Sequence, residues 1–360
     1  MHNYVYVEDT ISKNFNIIFL CGVKHNTSVN DKRNVLKDYL INLDARNCAL
    51  ILEEHFIFGK SNKKKLSYDD IYMHNLNSVE MLTALFSDLV FIIHESNSTA
   101  AEFGMFATNE LLRGKLCLLI PDEISVEENK ISAFLKYAFF RKSNDIERIV
   151  FYPSTEVWRL SNNKSDFRTQ FADNKIGYNL SENINNFINK QIVINPCIKI
   201  KQAPFNRYLN DIDTISYIYN KEKQYVNIRI SPEMLKWQII SLFNIDSFKS
   251  EIRKNKKINE HVTFVKEFYE NIMINTLEHK DGITIDKINV FIKGTNISTR
   301  NVIAYLLYLL QAMGKIYFIQ EEDDPYIRKI RIENDFKELY EKYSVFVKPR
   351  SESIYGGINI

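Results

Sequence analysis

Residues 88–107 read DLVFIIHESNSTAAEFGMFA and combine an apolar strand, a small polar loop and the start of a helix. The run LVFII has the length and composition of a strand that is covered on both faces of a sheet. Ser96-Asn97-Ser98 follow, and Thr99 begins a helical segment that we expect to end near Leu112. Because ligands of parallel sheets bind where the strands end, the stretch predicts a ligand site at the start of this helix.

Similar strand and helix patterns surround this stretch. Apolar strands are predicted at 16–22, 48–56, 115–121 and 148–152, and helices at 31–43, at 76–86 and from 121 to about 140. Apolar strands that alternate with helices are typical of an α/β fold with a parallel sheet between two helical layers. The sequence therefore predicts a Rossmann-like domain over residues 1–160.

The rest of the chain predicts a mostly helical architecture. Strands at 213–219 and 225–230 form a hairpin, and Pro232 begins a helix over 231–243, so residues 161–258 are expected to be a connecting region. Helices are then predicted at 261–277, 284–292 and 299–312, and strands at 315–320 and 326–332. This order is typical of a winged helix-turn-helix, which we place at 259–360.

Composition excludes several classes of protein. A hydrophobic fraction of 45% and a charged fraction of 26% exclude an intrinsically disordered chain. No apolar run reaches the roughly 18 residues of a membrane span, and the start lacks the features of a secretory signal, so we expect a cytoplasmic protein without membrane association. The net charge of +2 is too small for a general polyanion binder. The four cysteines are scattered and lack metal-site spacing, so we expect buried thiols and no metal.

The chemistry of the predicted site depends on Glu102, one turn into the helix. A carboxylate at this position can attack or stabilise the anomeric carbon of a nucleoside. Thr99 and Glu102 also have the spacing of a capping box, which starts helices without any catalytic role, and the local sequence leaves both readings open. Ser96, Ser98 and Thr99 are small and can hold phosphate or sugar oxygens at the helix start.

Other candidates lie at the ends of the neighbouring strands. Glu95 either binds ribose hydroxyls or protonates a leaving group, or it is a solvated carboxylate. Cys21 and Gly22 end the first strand and are predicted to border the substrate. Gly22 is expected to allow close approach of a nucleotide, and Cys21 is more consistent with packing than with nucleophilic attack. Glu53 and Glu54 end the next strand, and at least one of them is expected to be a plain surface charge.

These stretches resemble a known family. FLCG at 19–22, Asp31-x-Arg33, ILEEHF at 51–56 and residues 88–107 resemble the nucleoside 2-deoxyribosyltransferase-like domain of bacterial retron antiphage effectors, in which this domain precedes a winged helix. The resemblance implies an N-glycosidase toxin with Glu102 as nucleophile and Glu54 as a ligand contact. True deoxyribosyltransferases carry an aspartate several residues before the nucleophile, where this chain has Ser96, so we do not expect nucleobase exchange.

The resemblance also implies a substrate and partners. The substrate would be NAD, hydrolysed with release of nicotinamide and without a cofactor. The partners would be a reverse transcriptase and its msDNA, a branched RNA–DNA, which restrain the toxin. We also expect an oligomer. The alternative is a nucleotide sensor without turnover that signals through the winged helix. A third reading, a DNA-binding regulator, is weakened by the four acids at 321–324, which would repel phosphates.

Candidate partner-binding residues lie in the second half. Lys254, Lys256 and Lys257 belong to a basic run that is either a phosphate-binding patch or a solvated helix end. On helix 299–312, Arg300 and Asn301 have the chemistry to contact phosphates or base edges. The same helix is expected to leave Thr299, Ala304 and Tyr308 facing outward. A winged helix that serves only as a scaffold remains the other possibility.

Overall fold

The computed structural model describes residues 3–13, 15–23, 31–71, 73, 75–121, 148–152, 155–159, 165–169, 171, 175–191 and 195–352. Within them the strands are β1 (Tyr4–Tyr6), β2 (Asn16–Cys21), β3 (Asn47–Leu50), β4 (Leu89–Ile93), β5 (Leu116–Pro121), β6 (Ile149–Tyr152), β7 (Thr155–Arg159), β8 (Ser165–Thr169), β9 (Lys199–Gln202), β10 (Thr214–Asn220), β11 (Tyr225–Ile230), β12 (Lys256–Lys257), β13 (Lys287–Ile292), β14 (Ile316–Ile319), β15 (Ile327–Ile332) and β16 (Val347–Pro349). The helices are α1 (Lys32–Leu43), α2 (Leu52–His55), α3 (Leu76–Phe86), α4 (Asn97–Ala107), α5 (Glu110–Arg113), α6 (Tyr178–Gln191), α7 (Pro232–Leu242), α8 (Asp246–Ile252), α9 (Ile258–Asp281), α10 (Thr299–Ala312) and α11 (Lys337–Tyr343).

The chain forms two compact units, each assembled from separate stretches. The parallel-sheet unit consists of Phe15–His55 and Thr83–Ile194, and the mixed unit consists of Met1–Asn14, Phe56–Leu82 and Asn195–Ile360. The boundaries of these units differ from those of the predicted segments 1–160, 161–258 and 259–360. The division into those three functional segments stays a prediction.

The parallel-sheet unit confirms the predicted α/β architecture in this part of the chain. Five of its described strands form one sheet in the order β3-β2-β4-β5-β6, in which each neighbouring pair is parallel, and β7 and β8 form a separate antiparallel pair. The central strands β2, β4 and β5 are buried along their whole length, as expected for strands that are apolar on both faces. Helix α6 adds Leu180, Ile184 and Phe187 to the core of this sheet, although its polar, Asn-rich sequence predicts a connection with short helical patches.

Two predicted elements in this unit end earlier than expected. The strand predicted at 48–56 stops at Leu50, and Leu52–His55 form a helical turn that carries Glu53 and Glu54. The helix predicted over 99–112 is two helices, and the first begins at Asn97, because Ser96 rather than Thr99 is its N-cap. Asn109 caps the second helix through its side chain, which accepts from the Leu111 N–H. The helix predicted from 121 to about 140 lies outside the described residues.

The mixed unit contains a four-stranded sheet in the order β13-β11-β10-β9 and a smaller sheet in the order β12-β15-β14. The predicted hairpin is confirmed as the antiparallel pair β10 and β11, and the helices at 231–243, 261–277 and 299–312 are confirmed as α7, α9 and α10. Gly314 follows α10 with a φ of 71°, the left-handed conformation that ends many helices.

The predicted helix at 284–292 is wrong, because this segment forms β13 and pairs in parallel with β11. Ile285, Ile288 and Ile292 are spaced like one helix face, which explains the prediction. Ile and Val also favour strands, and here the partner strand decides between the two. The helices α9 and α10 are therefore separated by a strand, and the middle helix that a winged helix-turn-helix requires is replaced by β13.

Helix α10 is also far more buried than a recognition helix. Thr299, Ala304 and Tyr308, which were expected to face outward, are buried. The segment from Phe56 to Ile71 belongs to the same unit and contacts the helix: the Tyr308 hydroxyl accepts from the Ile57 N–H at 2.7 Å.

No helix in the described part of the chain has the length and apolar character needed to cross a membrane.

Candidate active site

The loop after β4 forms a complete helix cap. The Ser96 hydroxyl accepts from the Thr99 N–H at 3.3 Å, and the Thr99 hydroxyl accepts from the Ser96 N–H at 3.1 Å. This reciprocal pair is the capping box of α4, and it differs from the Thr99–Glu102 box that the sequence allows. Ser98 lies beside it, with its Oγ 2.7 Å from the Ser96 Oγ. The three predicted substrate-binding hydroxyls are therefore held close together.

The position of the cap leaves Glu102 outside it. Glu102 follows Thr99 by three residues and Ser98 by four, so all three share one side of the helix. The residue is half-buried and its Oε2 atom is buried, whereas Thr99 is fully buried. Glu102 is thus a carboxylate at the carboxyl edge of the sheet with no part in starting its helix.

The carboxylates at this edge are bound by cations of α1. Lys32 forms an ion pair with Glu95, which follows β4. Arg33 Nη1 lies 3.1 Å from Glu53 Oε1, and Lys37 Nζ lies 2.5 Å from Glu54 Oε2. One helix therefore contacts the ends of the strands on both sides of β2.

Sequence reasoning missed these cations. The signal was available, because Lys32, Arg33 and Lys37 lie in the first two turns of the helix that follows β2. Such a position faces the ends of the neighbouring parallel strands. Of the predicted site residues, Glu54 and Glu95 are both ion-paired, and Glu54 also lies 3.6 Å from His55.

The space beside Gly22 is filled by an arginine. A Cβ atom placed on Gly22 would lie 2.9 Å from Arg33 Cδ, closer than real Cβ contacts. Arg33 is 3% exposed, so its side chain has little room to move away. The glycine that was expected to admit a nucleotide thus admits the Arg33 side chain. Cys21 is buried at the end of β2, in agreement with a packing role.

His94 is the histidine that lies beside the helix cap of α4. Burial lowers the pKa of His94, so its ring is neutral at physiological pH, and its Nδ1 lies 3.5 Å from the Thr99 hydroxyl. Among the described residues, no three His, Cys, Asp or Glu side chains are arranged to hold a metal ion.

A separate cleft lies at the opposite edge of the same sheet. It is next to the beginnings of β5 and β6, at Leu116 and Ile149, rather than their ends. Its lining residues are Phe103, Ala107, Arg113, Leu116, Leu118, Arg148 and Ile149. This cleft does not coincide with the predicted site.

The predicted partner-binding lysines are partly neutralised. Lys254 lies 2.6 Å from Glu251, and Lys256 also forms an ion pair with Glu251. The two ammonium groups lower the pKa of Glu251 to about 2, so this carboxylate stays charged beside them. Lys257 precedes α9 and is exposed.

Arg300 and Asn301, the two candidates on α10, lie in its first turn. Arg300 Nη2 donates to the Asn259 side chain at 2.9 Å. The Asn301 N–H donates to the Ser298 hydroxyl, which caps the helix.

Comparison with known proteins identifies the family. The chain matches the family model described as STM3845 retron effector protein over residues 29–318, which is most of its 360 residues. The search of curated proteins gave no match. The resemblance to retron effectors is confirmed, and the nucleoside 2-deoxyribosyltransferase-like character stays a prediction. The chain belongs to the STM3845 retron effector protein family.

Proposed function

We propose that this retron effector is an antiphage toxin that cleaves the N-glycosidic bond of a nucleotide, with NAD as the preferred substrate. The observation that carries the proposal is the position of Glu102. A purely structural role for Glu102 in the capping box does not apply, because Ser96 and Thr99 form that box themselves. Glu102 is half-buried and lies in the helix that follows β4. A carboxylate at this place is suited to act on a ligand that binds at the carboxyl edge of the parallel sheet.

The proposed chemistry needs one carboxylate and one water. Glu102 attacks the anomeric carbon of the ribose, and the bond to the base breaks with its electron pair moving to the base. Nicotinamide is cationic in NAD and leaves as a neutral molecule, so this step needs no proton donor. Water then hydrolyses the glycosyl ester, which restores the Glu102 carboxylate and transfers one proton to solvent.

The surrounding residues have distinct proposed roles. Glu95 is an ion-paired carboxylate, which accepts hydrogen bonds, so ribose hydroxyls suit it better than protonation of a leaving group. Ser96, Ser98 and the N–H groups at the start of α4 can contact sugar or phosphate oxygens. A reverse transcriptase and its msDNA would restrain the effector. The docking residues that the sequence predicts are Lys254, Lys256, Lys257, Arg300 and Asn301.

Base release tests the proposal directly. The full chain, alone and with the reverse transcriptase and msDNA, is incubated with NAD and a panel of nucleotides, and released bases are measured by mass spectrometry. We expect Glu102→Gln to lower turnover by several powers of ten, because the amide is neither a nucleophile nor a charge stabiliser. Glu110→Gln, which changes an exposed glutamate in the first turn of α5, is the matched control and should keep full activity.

Two results would contradict the proposal. The first is base release near the wild-type rate from folded Glu102→Gln protein. The second is nucleotide binding by the wild-type protein without base release under any of these conditions, which would favour the sensor.

A further inference from the structure

The four-stranded sheet of the mixed unit has one face that is basic and bears exposed apolar side chains. Residues that pair across neighbouring strands lie on the same face of the sheet. The pairings therefore define rows of side chains that run across this face. The rows are Lys201–Ser216–Arg229–Phe291, Ile218–Asn227–Asn289 and Asn220–Tyr225–Lys287. None of these positions is acidic. We call this surface the basic sheet face.

The opposite face of the same sheet forms core. Ile215, Tyr217, Val226, Ile228 and Ile230 point to that side and are buried. On the basic sheet face, by contrast, Phe291 is 48% exposed and Ile218 is 42% exposed. The basic sheet face therefore presents apolar side chains as well as cations.

Cations and aromatic rings are interleaved on this surface. The short helical turn at Phe205–Tyr208 lies against it, with Phe205 contacting Phe291 at a ring distance of 6.0 Å. The Arg229 guanidinium stacks over Phe205 at 5.3 Å, and Lys201 lies 5.6 Å from the Tyr208 ring. Arg207 is exposed beside the same tyrosine.

One acid near this face, Asp211, is itself offset by a lysine. Asp211, in the loop before β10, accepts from Thr214 and lies near the buried Lys293, which donates to the Asp211 carbonyl. The positive charge of Lys293 therefore offsets the negative charge of Asp211. This differs from the segment around Lys254 and Lys256, where Glu251 neutralises the lysines directly.

We propose that the basic sheet face binds single-stranded nucleic acid. Lys201, Arg207, Arg229 and Lys287 would contact phosphates, and Phe291 and the rings beside it would stack on bases. The Asn227 and Asn289 amides, joined by a 2.9 Å hydrogen bond, add polar groups that can contact base edges. A broad four-stranded face does not fit the major groove of a duplex, which admits a helix or a two-stranded ribbon, so an unpaired strand is the matching ligand.

Fluorescence anisotropy with the full chain tests this surface. The probe is a labelled oligothymidylate of about 20 nucleotides, longer than the site of a typical single-strand-binding module. We expect binding that weakens with salt. The double reversal Lys201→Glu with Arg207→Glu should lower affinity at least about tenfold and flatten the slope of log affinity against log salt by about 1.4, roughly 0.7 for each lost phosphate contact. Phe291→Ala should lower affinity about fivefold or more through lost stacking.

Matched variants separate this face from the rest of the unit. Lys337→Glu reverses an exposed charge on α11 and should bind like the wild type. The proposal is overturned if the wild type fails to bind the probe at low salt, or if Lys254→Glu weakens binding and the double reversal does not. It is also overturned if the matching duplex binds as tightly as the single strand. The proposal does not rest on the glycosidase chemistry, because oligonucleotide binding is measured without NAD and without any readout of base release.

Discussion

Arg33 connects three features of the parallel-sheet unit that look independent in the sequence. Its guanidinium lies 3.1 Å from Glu53 and 3.6 Å from Asp31, and its side-chain carbons fill the space beside Gly22. Arg33 is buried, whereas the side chain of Glu53 is 42% exposed. Removing a partner of a buried charge is costly, because the charge is left without compensation. Arg33 therefore fixes the geometry between β2 and α1 at the edge where the site is proposed.

Gly22→Ala should destabilise the protein by about 1 to 3 kcal/mol, because the new methyl group overlaps a side chain that cannot move into solvent. In an Arg33→Ala background the same change should cost much less, since the obstructing carbons are gone. A double-mutant cycle measured by urea unfolding gives the coupling free energy. Equal costs in both backgrounds would show that Gly22 is not constrained by Arg33.

His261 predicts an acid-dependent loss of stability. Burial lowers the pKa of His261, and its Nε2 is hydrogen bonded to the Arg328 carbonyl at 2.7 Å. The unfolded chain therefore binds a proton at a higher pH than the folded chain, so stability falls as the pH drops below about 6.5. We expect the fall in the free energy of unfolding between about pH 7 and pH 5 to be smaller in His261→Gln than in the wild type. An identical pH dependence for the two proteins would contradict the assignment.

Helix α10 is an element whose surroundings the sequence does not reveal. Its apolar positions predict one buried face, yet it is buried on nearly every side because residues 56–71 contact its outer face. Gln311 illustrates the contact: its side chain both accepts from and donates to the Leu66 backbone. Partners so distant in sequence leave no local periodicity.

Tyr308→Phe tests the attachment of this segment. The hydroxyl accepts from the Ile57 N–H and donates to the Ile57 carbonyl, so its removal leaves two backbone groups without that partner and should cost about 1 to 3 kcal/mol. Amide hydrogen exchange at Ile57 should accelerate accordingly. Tyr326→Phe, at a side chain that is 62% exposed, is the control and should change neither quantity.

Local patterns predict elements well where the decisive contacts are local. Strands β2, β4 and β5 and helices α1, α7 and α10 follow from apolar runs, from periodicity and from caps such as Asp31 and Ser231. Strand β13 does not, because its identity depends on pairing with β11, about 60 residues earlier in the chain. In the site, the cap at Ser96 and Thr99 could have been predicted from the hydroxyls themselves. The position of the α1 cations after β2 could also have been used, but their particular carboxylate partners could not be predicted, since the pairing depends on the strand order of the sheet.

The interleaving of the two units changes what can be removed from the whole molecule. A fragment of residues 1–200 contains the segment 56–82 but lacks α10, which that segment contacts. The side chains of Phe56, Leu66 and Ile71 are buried in the full chain and would become exposed to solvent in the fragment. We expect the fragment to bind a hydrophobic dye far more strongly than the full chain, as measured by fluorescence. A fragment that stays monomeric and binds no more dye than the full chain would contradict this expectation.

The contact between Leu66 and Gln311 also sets an order of events during synthesis. The two residues are 245 positions apart, and at roughly 5 to 20 residues per second the ribosome needs about 12 to 50 s to reach the second one. Every stretch of the parallel-sheet unit has been synthesised once residue 194 is added, well before α10 exists. The unit that carries Glu102 can therefore begin to fold while the chain is still being made. If the effector is the restrained toxin that we propose, its restraint has to be present during translation.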